Sequence, residues 1–394
     1  MRSKKIVSKV RNKKKQGKIK IDKLKISMGI LISCFIFLII WFNRGKLSPE
    51  NVINWIEDQI ASMGKGEGYP CNIVGKNVSA SNFKLMDNNI LVLSDTSLVC
   101  LNNTGKEVSS RNHNLSNPIM KTRGGRAIMY DMGGKEIKIC TRSKNIKDIN
   151  TDSKIMCCDI SLNGAYGVVT ESNGYLSEMT IYNKNGKVKY KYYFSEYYIN
   201  GITMGENGDS VAVCGVSAQD GEIKSAVYVF KFNSDMPSLM FEYNDNMFMD
   251  IQYFSNGNII AIGDKMVSII NTWMKNKQDI SYEQKILTGY YINNNDGIVY
   301  SLSAVNSGQN CDIFTIDKSG RKKSEIQTNY TVNSIAYRGN RIVGIDGRKV
   351  FSYNLSGNLI GEWEIENDAK RIELKSPTLA YLLGISKIDR IKLK

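Results

Sequence analysis

A short hairpin segment recurs along the chain and constrains its fold more than any other feature. In "IYNKNGKVKY", residues 181–190, an apolar run meets a four-residue turn that ends in Gly186, and alternating Lys, Val and Tyr residues follow. The same pattern surrounds Gly105, Gly320 and Gly357. Glycine at the left-handed position of such a turn is typical of a β-hairpin. A chain that repeats this hairpin is expected to be built from repeated β-units.

Each hairpin belongs to a longer unit of four β-rich runs separated by Asn, Gly, Asp and Ser turns. The first strand of successive units is predicted to start near residues 81, 116, 155, 199, 248, 286, 331 and 369. These intervals are close to the ~40–45 residue period of a four-stranded propeller blade. The sequence therefore predicts an all-β fold, an eight-bladed β-propeller over residues 71–394. A seven-bladed ring, an open β-solenoid and a pair of sandwiches are the alternatives.

The two ends of this region predict how the ring closes. The last unit, "AKRIELKSPTLAYLLGISKIDRIKL", has three strands, whereas "CNIVGKNVSA" is a spare strand before the first full unit. Joining the spare strand to the last unit completes the eighth blade. Closure would remove the open sheet edges that otherwise invite aggregation.

The N-terminal region has a different composition. Residues 1–25 contain twelve Lys and Arg and one acid, Asp22, so they carry +11 of the net charge of +15. The other 369 residues share +4, which gives nucleic-acid binding no support. The next segment, residues 26–42, has no charged residue and would span about 25 Å as a helix. We expect a basic tail followed by an uncleaved transmembrane helix.

This anchor predicts the topology of the protein. The positive flank would hold residues 1–25 in the cytoplasm and would attract anionic lipid, so the C-terminal domain would be extracytoplasmic in a single-pass protein of the cell membrane. A cleaved signal peptide is the alternative, but no convincing small-x-small cleavage site follows the segment. The residues expected to contact the bilayer are Ile26, Ile30, Phe35, Phe37, Trp41 and Phe42.

A short helical stalk and linker are predicted over residues 47–70. Ser48 is suited to the N-cap, Pro49 to the first turn, and Gly64 to the end of the helix. Ile53, Ile56, Ile60 and Met63 form one apolar stripe, which is expected to dock on the domain or lie against the membrane. Weak self-association through this stripe is the third option, although it is too short to argue for a coiled coil.

Several segments carry a resemblance to a known family. "SPENVINWIEDQIASMGKGEGYP", "GRAIMYDMGGKEIKICTRSK", "ESNGYLSEMTIYNKNGKVKYKYYFSEYYI" and "NMFMDIQYFSNGNIIAIGD" resemble an uncharacterised family of single-pass membrane proteins of Gram-positive bacteria. The resemblance covers roughly residues 47–394 and implies an N-terminal anchor before a propeller-like extracytoplasmic domain. It implies no activity. The domain is more loosely similar to quinoprotein-like and WD-type propellers.

No motif in the sequence predicts a catalytic, cofactor or metal site. His113, the single histidine, has no nucleophile-elbow motif beside it and is expected to face solvent. The pair Cys157-Cys158 suggests the adjacent-cysteine disulfide of some quinone-cofactor enzymes, but it lies in a predicted strand, where neighbours point to opposite faces. Only four tryptophans occur, too few for the pattern of those enzymes. We expect both cysteines to be structural.

Acidic residues recur in the loops between the second and third strands. Such loops share one face of a propeller with the loops that join successive blades, including "SEYYING" and "YNDNMFMD". A face with carboxylates, aromatics and Met suits a protein or glycan partner. Asp is also a common turn residue, so each acid alone is weak support. The candidates are Asp95, Asp131, Glu171, Asp220, Asp264 and Asp346.

The sequence as a whole favours a non-catalytic binding or scaffold module at the cell envelope, with an envelope protein or a wall polymer as its partner. A cofactor-binding quinoprotein-like enzyme is one alternative. A sensor of an extracellular ligand is another, and it would need a signalling partner because 25 cytoplasmic residues cannot hold an output domain.

Overall fold

The computed structural model describes residues 27–35, 49–219, 221–304, 310–366 and 368–393. The chain divides into two compact units, Met1–Leu47 and Ser48–Lys394. In the first unit, residues 27–35 form helix α1, where the predicted anchor residues Ile30 and Phe35 are exposed. The other predicted anchor residues, Ile26, Phe37, Trp41 and Phe42, lie outside the described residues. Within the described part of the chain, no helix has the length and apolar character needed to cross a membrane.

The described part of the second unit contains helix α2 and 32 strands. Helix α2 is Pro49–Ala61, and strand β1 is Cys71–Asn72. Blades 1 and 2 consist of β2 (Val78–Met86), β3 (Asn89–Ser94), β4 (Ser97–Leu101), β5 (Glu107–Asn112), β6 (Pro118–Arg123), β7 (Arg126–Asp131), β8 (Glu136–Cys140) and β9 (Asn145–Asn150). Blades 3 and 4 consist of β10 (Ile155–Ile160), β11 (Tyr166–Thr170), β12 (Ser177–Tyr182), β13 (Val188–Phe194), β14 (Tyr198–Met204), β15 (Ser210–Gln219), β16 (Glu222–Lys231) and β17 (Leu239–Asn244).

The remaining blades follow in the same order. Blades 5 and 6 consist of β18 (Phe248–Tyr253), β19 (Ile259–Gly263), β20 (Met266–Asn271), β21 (Asn276–Ser281), β22 (Ile286–Asn293), β23 (Gly297–Ser303), β24 (Cys311–Asp317) and β25 (Lys322–Thr328). Blades 7 and 8 consist of β26 (Ser334–Arg338), β27 (Arg341–Asp346), β28 (Lys349–Asn354), β29 (Leu359–Glu364), β30 (Ala369–Ser376), β31 (Leu379–Gly384) and β32 (Lys387–Lys392), with β1 as the fourth strand of blade 8.

The strands form eight four-stranded antiparallel sheets, which confirms the eight-bladed propeller. Every first strand begins within three residues of its predicted start. Ring closure also follows the prediction, because β1 pairs with β32 in the register Cys71↔Ile388 and Asn72↔Lys387. The sheet of blade 8 therefore combines strands from opposite ends of the domain.

The hydrophobic core is divided among the contacts between blades. Each of eight buried clusters joins side chains of two neighbouring blades, and one of them, with Phe83 and Tyr381, joins blade 8 to blade 1. The second and third strands are buried on both faces, as in β3 and β4, whereas outer strands such as β13 alternate between exposed and covered positions. This pattern is expected when sheets stack face to face around a ring.

The recurring hairpins join the third and fourth strands of blades 1, 3, 6 and 7 and have a common geometry. In blade 3, the Asn183 side chain accepts hydrogen bonds from the backbone N–H groups of Asn185 and Lys187, both at 3.0 Å. Gly186 then takes a φ of 86°, which glycine adopts at little cost. Asn102, Asp317 and Asn354 accept the equivalent bonds in their own hairpins. The hairpin motif is thus an Asx-type turn that the side chain stabilises.

Two faces of the propeller follow from this connectivity. The interblade face consists of the loops between second and third strands and the loops that join successive blades. The hairpin face consists of the loops between first and second strands and those between third and fourth strands. Helix α2 packs on the hairpin face, and the predicted acidic loops lie on the interblade face.

Candidate binding surfaces and the central channel

The acidic loops of the interblade face share a structural role. Asp95 Oδ1 accepts a hydrogen bond from the backbone N–H of Lys76 at 2.9 Å, just before the first strand of its own blade. Asp131 and Asp264 accept the same type of bond from Asn117 at 2.6 Å and from Met247 at 2.7 Å, and Asp346 accepts one from the Thr331 hydroxyl. These carboxylates connect the end of the second strand of a blade to the residues just before the first strand of the same blade. This structural role explains why acidic residues recur in these loops, and it requires no ligand.

Two of the predicted acidic residues do not show this contact. The side chain of Glu171 is exposed and accepts no hydrogen bond within the described part of the chain. Asp220 lies outside the described residues.

The bond from Lys76, joined by a weaker one from Asn77, holds the pKa of Asp95 below its ordinary value, because hydrogen bonds to a carboxylate favour its charged form.

The same face presents apolar side chains on three consecutive blades. We call Tyr175, Tyr193, Tyr198, Ile223, Met247 and Met249 the apolar sector. Tyr198 is 51% exposed although Tyr197 is fully buried, and Met249 is 43% exposed although Phe248 is fully buried. Strand alternation thus anchors one residue of each pair in the core and turns its neighbour outward. The rings of Tyr175 and Tyr193 pack together with centroids 4.9 Å apart.

The structure corrects the expectation for His113. Its side chain is 1% exposed rather than facing solvent, and its Nε2 lies 2.9 Å from the carbonyl oxygen of Ser94. The backbone N–H of Leu115 donates to Nδ1 at 3.0 Å. The imidazole therefore stabilises the loop between blades 1 and 2. The sequence places His113 in a loop, and a loop position suggests exposure to solvent. The side chain is buried because this loop folds back over the blade.

The two adjacent cysteines are strand residues, as predicted. Cys157 and Cys158 lie in β10, are free thiols and are both buried. Cys157 packs in the cluster between blades 3 and 4, whereas Cys158 packs between blades 2 and 3. Burial raises the pKa of Cys157 to about 12 and that of Cys158 well above its ordinary value. Both thiols therefore remain protonated at neutral pH.

Helix α2 docks on the hairpin face through a buried polar contact. Asp58 is 1% exposed and forms an ion pair with Arg142, with Oδ2 and Nε 3.3 Å apart. The other carboxylate oxygen of Asp58 accepts hydrogen bonds from the hydroxyls of Thr141 and Ser143 at 3.1 and 2.6 Å. The backbone N–H of Ser143 donates to the same oxygen at 3.1 Å. One carboxylate thus connects the helix to the third loop of blade 2.

Further polar contacts hold the start of α2. Glu50 pairs with Lys184 at 2.8 Å and with Arg126 at 3.2 Å. The Lys184 contact is the largest influence on the pKa of Glu50, which lies below its ordinary value. Asn51 accepts a hydrogen bond from Arg126 at 2.7 Å and donates one to the carbonyl oxygen of Leu162 at 3.1 Å. These bonds extend the docking contact to blade 3.

The apolar stripe, which begins in α2 and ends just after it, is largely exposed. Ile53, Ile56, Ile60 and Met63 are 55%, 46%, 61% and 65% exposed. The sequence predicted docking or membrane contact through this stripe. The helix does dock, but it does so through Glu50, Asn51 and Asp58, which leaves the stripe uncovered.

A central channel passes between the first strands of the blades. It encloses about 1130 Å³ and is lined by side chains of β2, β6, β10, β14, β18, β22, β26 and β30. Charged side chains interact across it. Lys121 of blade 2 pairs with Asp250 of blade 5 at 3.2 Å, and the Tyr290 hydroxyl donates to the same carboxylate at 3.3 Å.

Two further ion pairs line the channel. Arg123 lies 3.4 Å from Asp159, and Arg371 lies 3.2 Å from Glu373. The Tyr291 hydroxyl donates to Glu373 at 3.0 Å. Every carboxylate in these three pairs also accepts a bond from a hydroxyl or a backbone N–H.

Lys84 is a further cation of the channel. It lies on β2, between the first strands that carry Arg371 and Lys121, and has no carboxylate partner among the residues that the structure describes. Desolvation and the nearby charge of Arg371 lower the pKa of Lys84 to about 8. No motif in the sequence indicated these channel residues. The available signal was a charged residue within an otherwise apolar first strand, as in "NFKLM" and "MFMDIQY".

Solved structures support the fold. The chain is similar to BamB from Moraxella catarrhalis, at 11% identity and a TM-score of 0.51, covering 82% of this chain and 100% of that one. It is also similar to the C-terminal WD40 domain of Sif2, at 10% identity and a TM-score of 0.59, covering 84% and 99%. A eukaryotic initiation factor matches at 9% identity and a TM-score of 0.53, covering 81% and 84%. At such identities the likeness concerns the fold alone.

Sequence comparisons assign the family. A comparison with curated proteins finds no match. Residues 71–393, which contain all of the blades, match the model of DUF5711, a family of unknown function. This match extends over most of the chain, and we conclude that the protein belongs to the DUF5711 family.

Proposed function

We propose that the protein is a membrane-anchored, extracytoplasmic propeller that binds an envelope protein or a wall polymer without catalysing a reaction. The observation that carries this proposal is the apolar sector on the interblade face. Exposed aromatic and Met side chains on three neighbouring blades, flanked by carboxylates, have the composition of a protein-binding surface. BamB and WD40 propellers share the fold, which makes a binding module a natural use of it.

Two observations support the anchor. Residues 26–42 form an uncharged segment after a strongly basic tail, which is the pattern of a transmembrane helix with a cytoplasmic N-terminus. Helix α2 follows Phe42 after six residues and presents an uncovered apolar stripe. An apolar stripe so close in sequence to a bilayer-spanning segment suits contact with lipid at the membrane surface.

A crosslinking pull-down of the tagged full-length protein from intact cells tests the binding proposal. Partners would be identified by mass spectrometry for the wild type, for a Tyr198→Ser/Met249→Ser variant, and for Trp273→Ser. Trp273 is a matched control because it is 90% exposed on the opposite, hairpin face. Loss of an interface anchor typically costs about 2 kcal/mol, so we expect the double variant to recover the partner at least about tenfold less efficiently.

The possible outcomes separate the functions. A partner lost with the double variant and retained with Trp273→Ser supports the binding module. Recovery of the protein alone, or equal recovery by all three proteins, would reject it. Absorbance from a bound cofactor in the purified protein would favour the quinoprotein-like enzyme instead. Release of the protein from membranes by alkaline carbonate would contradict the anchor independently of the partner.

A further inference from the structure

The charges of the central channel do not cancel. Three of its cations, Lys121, Arg123 and Arg371, each face one carboxylate. Each of these carboxylates also accepts a hydrogen bond from a hydroxyl or a backbone N–H group. Lys84 has no ion-pair partner in the described part of the chain, and with Arg338, Lys370, Asp87 and Asp296 included, the described lining carries six cations and five carboxylates. A cation in a confined cavity is stabilised by an anion close to it.

The position of Lys84 defines where this anion would lie. Lys84 stands on the first strand of blade 1, with Arg371 on the neighbouring strand of blade 8 and Lys121 on that of blade 2. Nε and one Nη of Arg371 are bonded to Glu373, while its guanidinium lies over the ring of Tyr291 at 5.4 Å. Three cations from consecutive blades thus converge on one side of the channel.

Arg123, which also lines the cavity, has donors without acceptors in the described part of the chain. Arg123 is 6% exposed, and its Nε and one Nη atom have no hydrogen-bond partner among the described residues. Its other Nη contacts Asp159 at 3.4 Å and the Thr203 hydroxyl at 3.3 Å. Buried guanidinium donors without acceptors are rare, since each lost bond to a charged group is costly.

We propose that the central channel binds a small organic anion whose carboxylate or phosphate group lies between Lys84 and Arg371. A cavity of about 1130 Å³ exceeds the space that a single inorganic ion fills and is slightly larger than the usual small-molecule site of roughly 300–1,000 Å³. Tyr290 and Tyr291 provide aromatic surface for the remainder of the ligand. Met249 of the apolar sector also lines this channel, but Lys84 and Arg371 lie outside the sector, so substitution of Lys84 tests this site separately from the proposed partner.

Calorimetric titration of the full-length protein in detergent tests this site. The probes are inorganic phosphate and succinate, which distinguish phosphate from carboxylate recognition. At pH 7 we expect one of them to bind with a Kd of roughly 1 mM or tighter. Lys84→Met should weaken it at least about tenfold, since a charge-assisted hydrogen bond is lost. Lys84→Arg should retain binding, and Lys187→Met, which alters an exposed hairpin lysine, should leave it unchanged.

Proton uptake provides a second readout that does not depend on variants. Lys84 faces Arg371, Lys121, Glu373 and Asp250. A bound anion favours the charged lysine, so its pKa should rise above about 8 in the complex. Binding should therefore take up protons between roughly pH 7 and 9, and affinity should fall as the pH rises through this range.

Three results would overturn the proposal. The first is that neither probe binds the wild type at millimolar concentration. The second is that a probe binds the wild type and Lys84→Met equally. The third is that binding has the same affinity at pH 7 and pH 9 without proton uptake. If Lys84→Met fails to fold, Lys84→Arg and the proton measurement on the wild type still decide the question.

Discussion

Asp58 of helix α2 and Arg142 of blade 2 form an ion pair at 3.3 Å in which both side chains are at most 2% exposed. The polar face of an amphipathic helix is thus its docking face, while its apolar stripe remains uncovered. A helix on a globular domain is normally oriented the other way, because burial of apolar surface stabilises docking. Here a nearly fully bonded carboxylate provides the specificity of the contact.

Substitution of Asp58 should be strongly destabilising. Among the described residues, Asp58→Ala would leave the buried Arg142 with the 3.4 Å contact to Asp87 as its remaining ion pair, and breaking such a pair costs about 3 kcal/mol. Urea denaturation, with hydrogen exchange of residues 49–61, measures the effect. Ile60→Ser is the matched control on the exposed stripe and should change stability by less than about 0.5 kcal/mol. Equal effects of the two substitutions would contradict this docking mode.

The hairpin glycines should tolerate no side chain without loss of stability. Gly186 has a φ of 86°, so Gly186→Ala should cost about 1 kcal/mol of unfolding free energy. The added Cβ would also meet the movable end of Lys147. Gly125→Ala is the control, since a Cβ there would meet no atom within 4 Å. A melting temperature that is unchanged in Gly186→Ala and lowered in Gly125→Ala would contradict the turn geometry.

The loop contacts of the interblade face should make stability depend on pH. The pKa of Asp95 is lowered in the folded protein, so its contribution is present above the unfolded pKa, near 4, and is lost as the pH falls through the folded value. Asp95→Ala should therefore melt below the wild type at pH 7, and this difference should disappear in acid. Glu171→Ala should show no comparable difference at either pH. An Asp95→Ala difference that persists in acid would argue against the hydrogen bond from Lys76.

The strand cysteines should be unreactive in the folded protein. Burial raises the pKa of Cys100 and Cys157 to about 12 and that of Cys140 to about 11, so few thiolates form at pH 8. Iodoacetamide at pH 8 should label Cys71, which is partly exposed, ahead of these residues. Mass spectrometry after labelling in denaturant provides the reference in which all eight cysteines react. Rapid native labelling of Cys157 would show that blades 3 and 4 separate easily.

The repeat architecture was predictable because local signals agree with the global fold. Each blade closes with a turn that its own residues encode, as Asn183 and Gly186 do, so the period could be read without tertiary information. Closure by β1 was also predictable, since an isolated strand at one end matched a missing strand at the other.

The side-chain environments depended on long-range contacts that the sequence does not display. His113 is buried because a loop covers it, and Lys121 meets Asp250 only after eight blades form a ring. The recurring loop carboxylates were identified from sequence, but their hydrogen bonds to the start of each blade became evident in the structure. The orientation of α2 was hidden because apolar spacing predicts which residues share a face, whereas the buried Asp58 decides which face docks.

The pairing of Asn72 with Lys387 also constrains the order of events during biogenesis. Seven sheets are each complete within a short stretch of chain, so they can form while synthesis continues. The eighth cannot, because its outermost strand is made first and must wait, unpaired, for β32 to arrive. Until then the nascent domain exposes an open sheet edge, and any chaperone or neighbouring chain that pairs with this edge competes directly with closure of the ring.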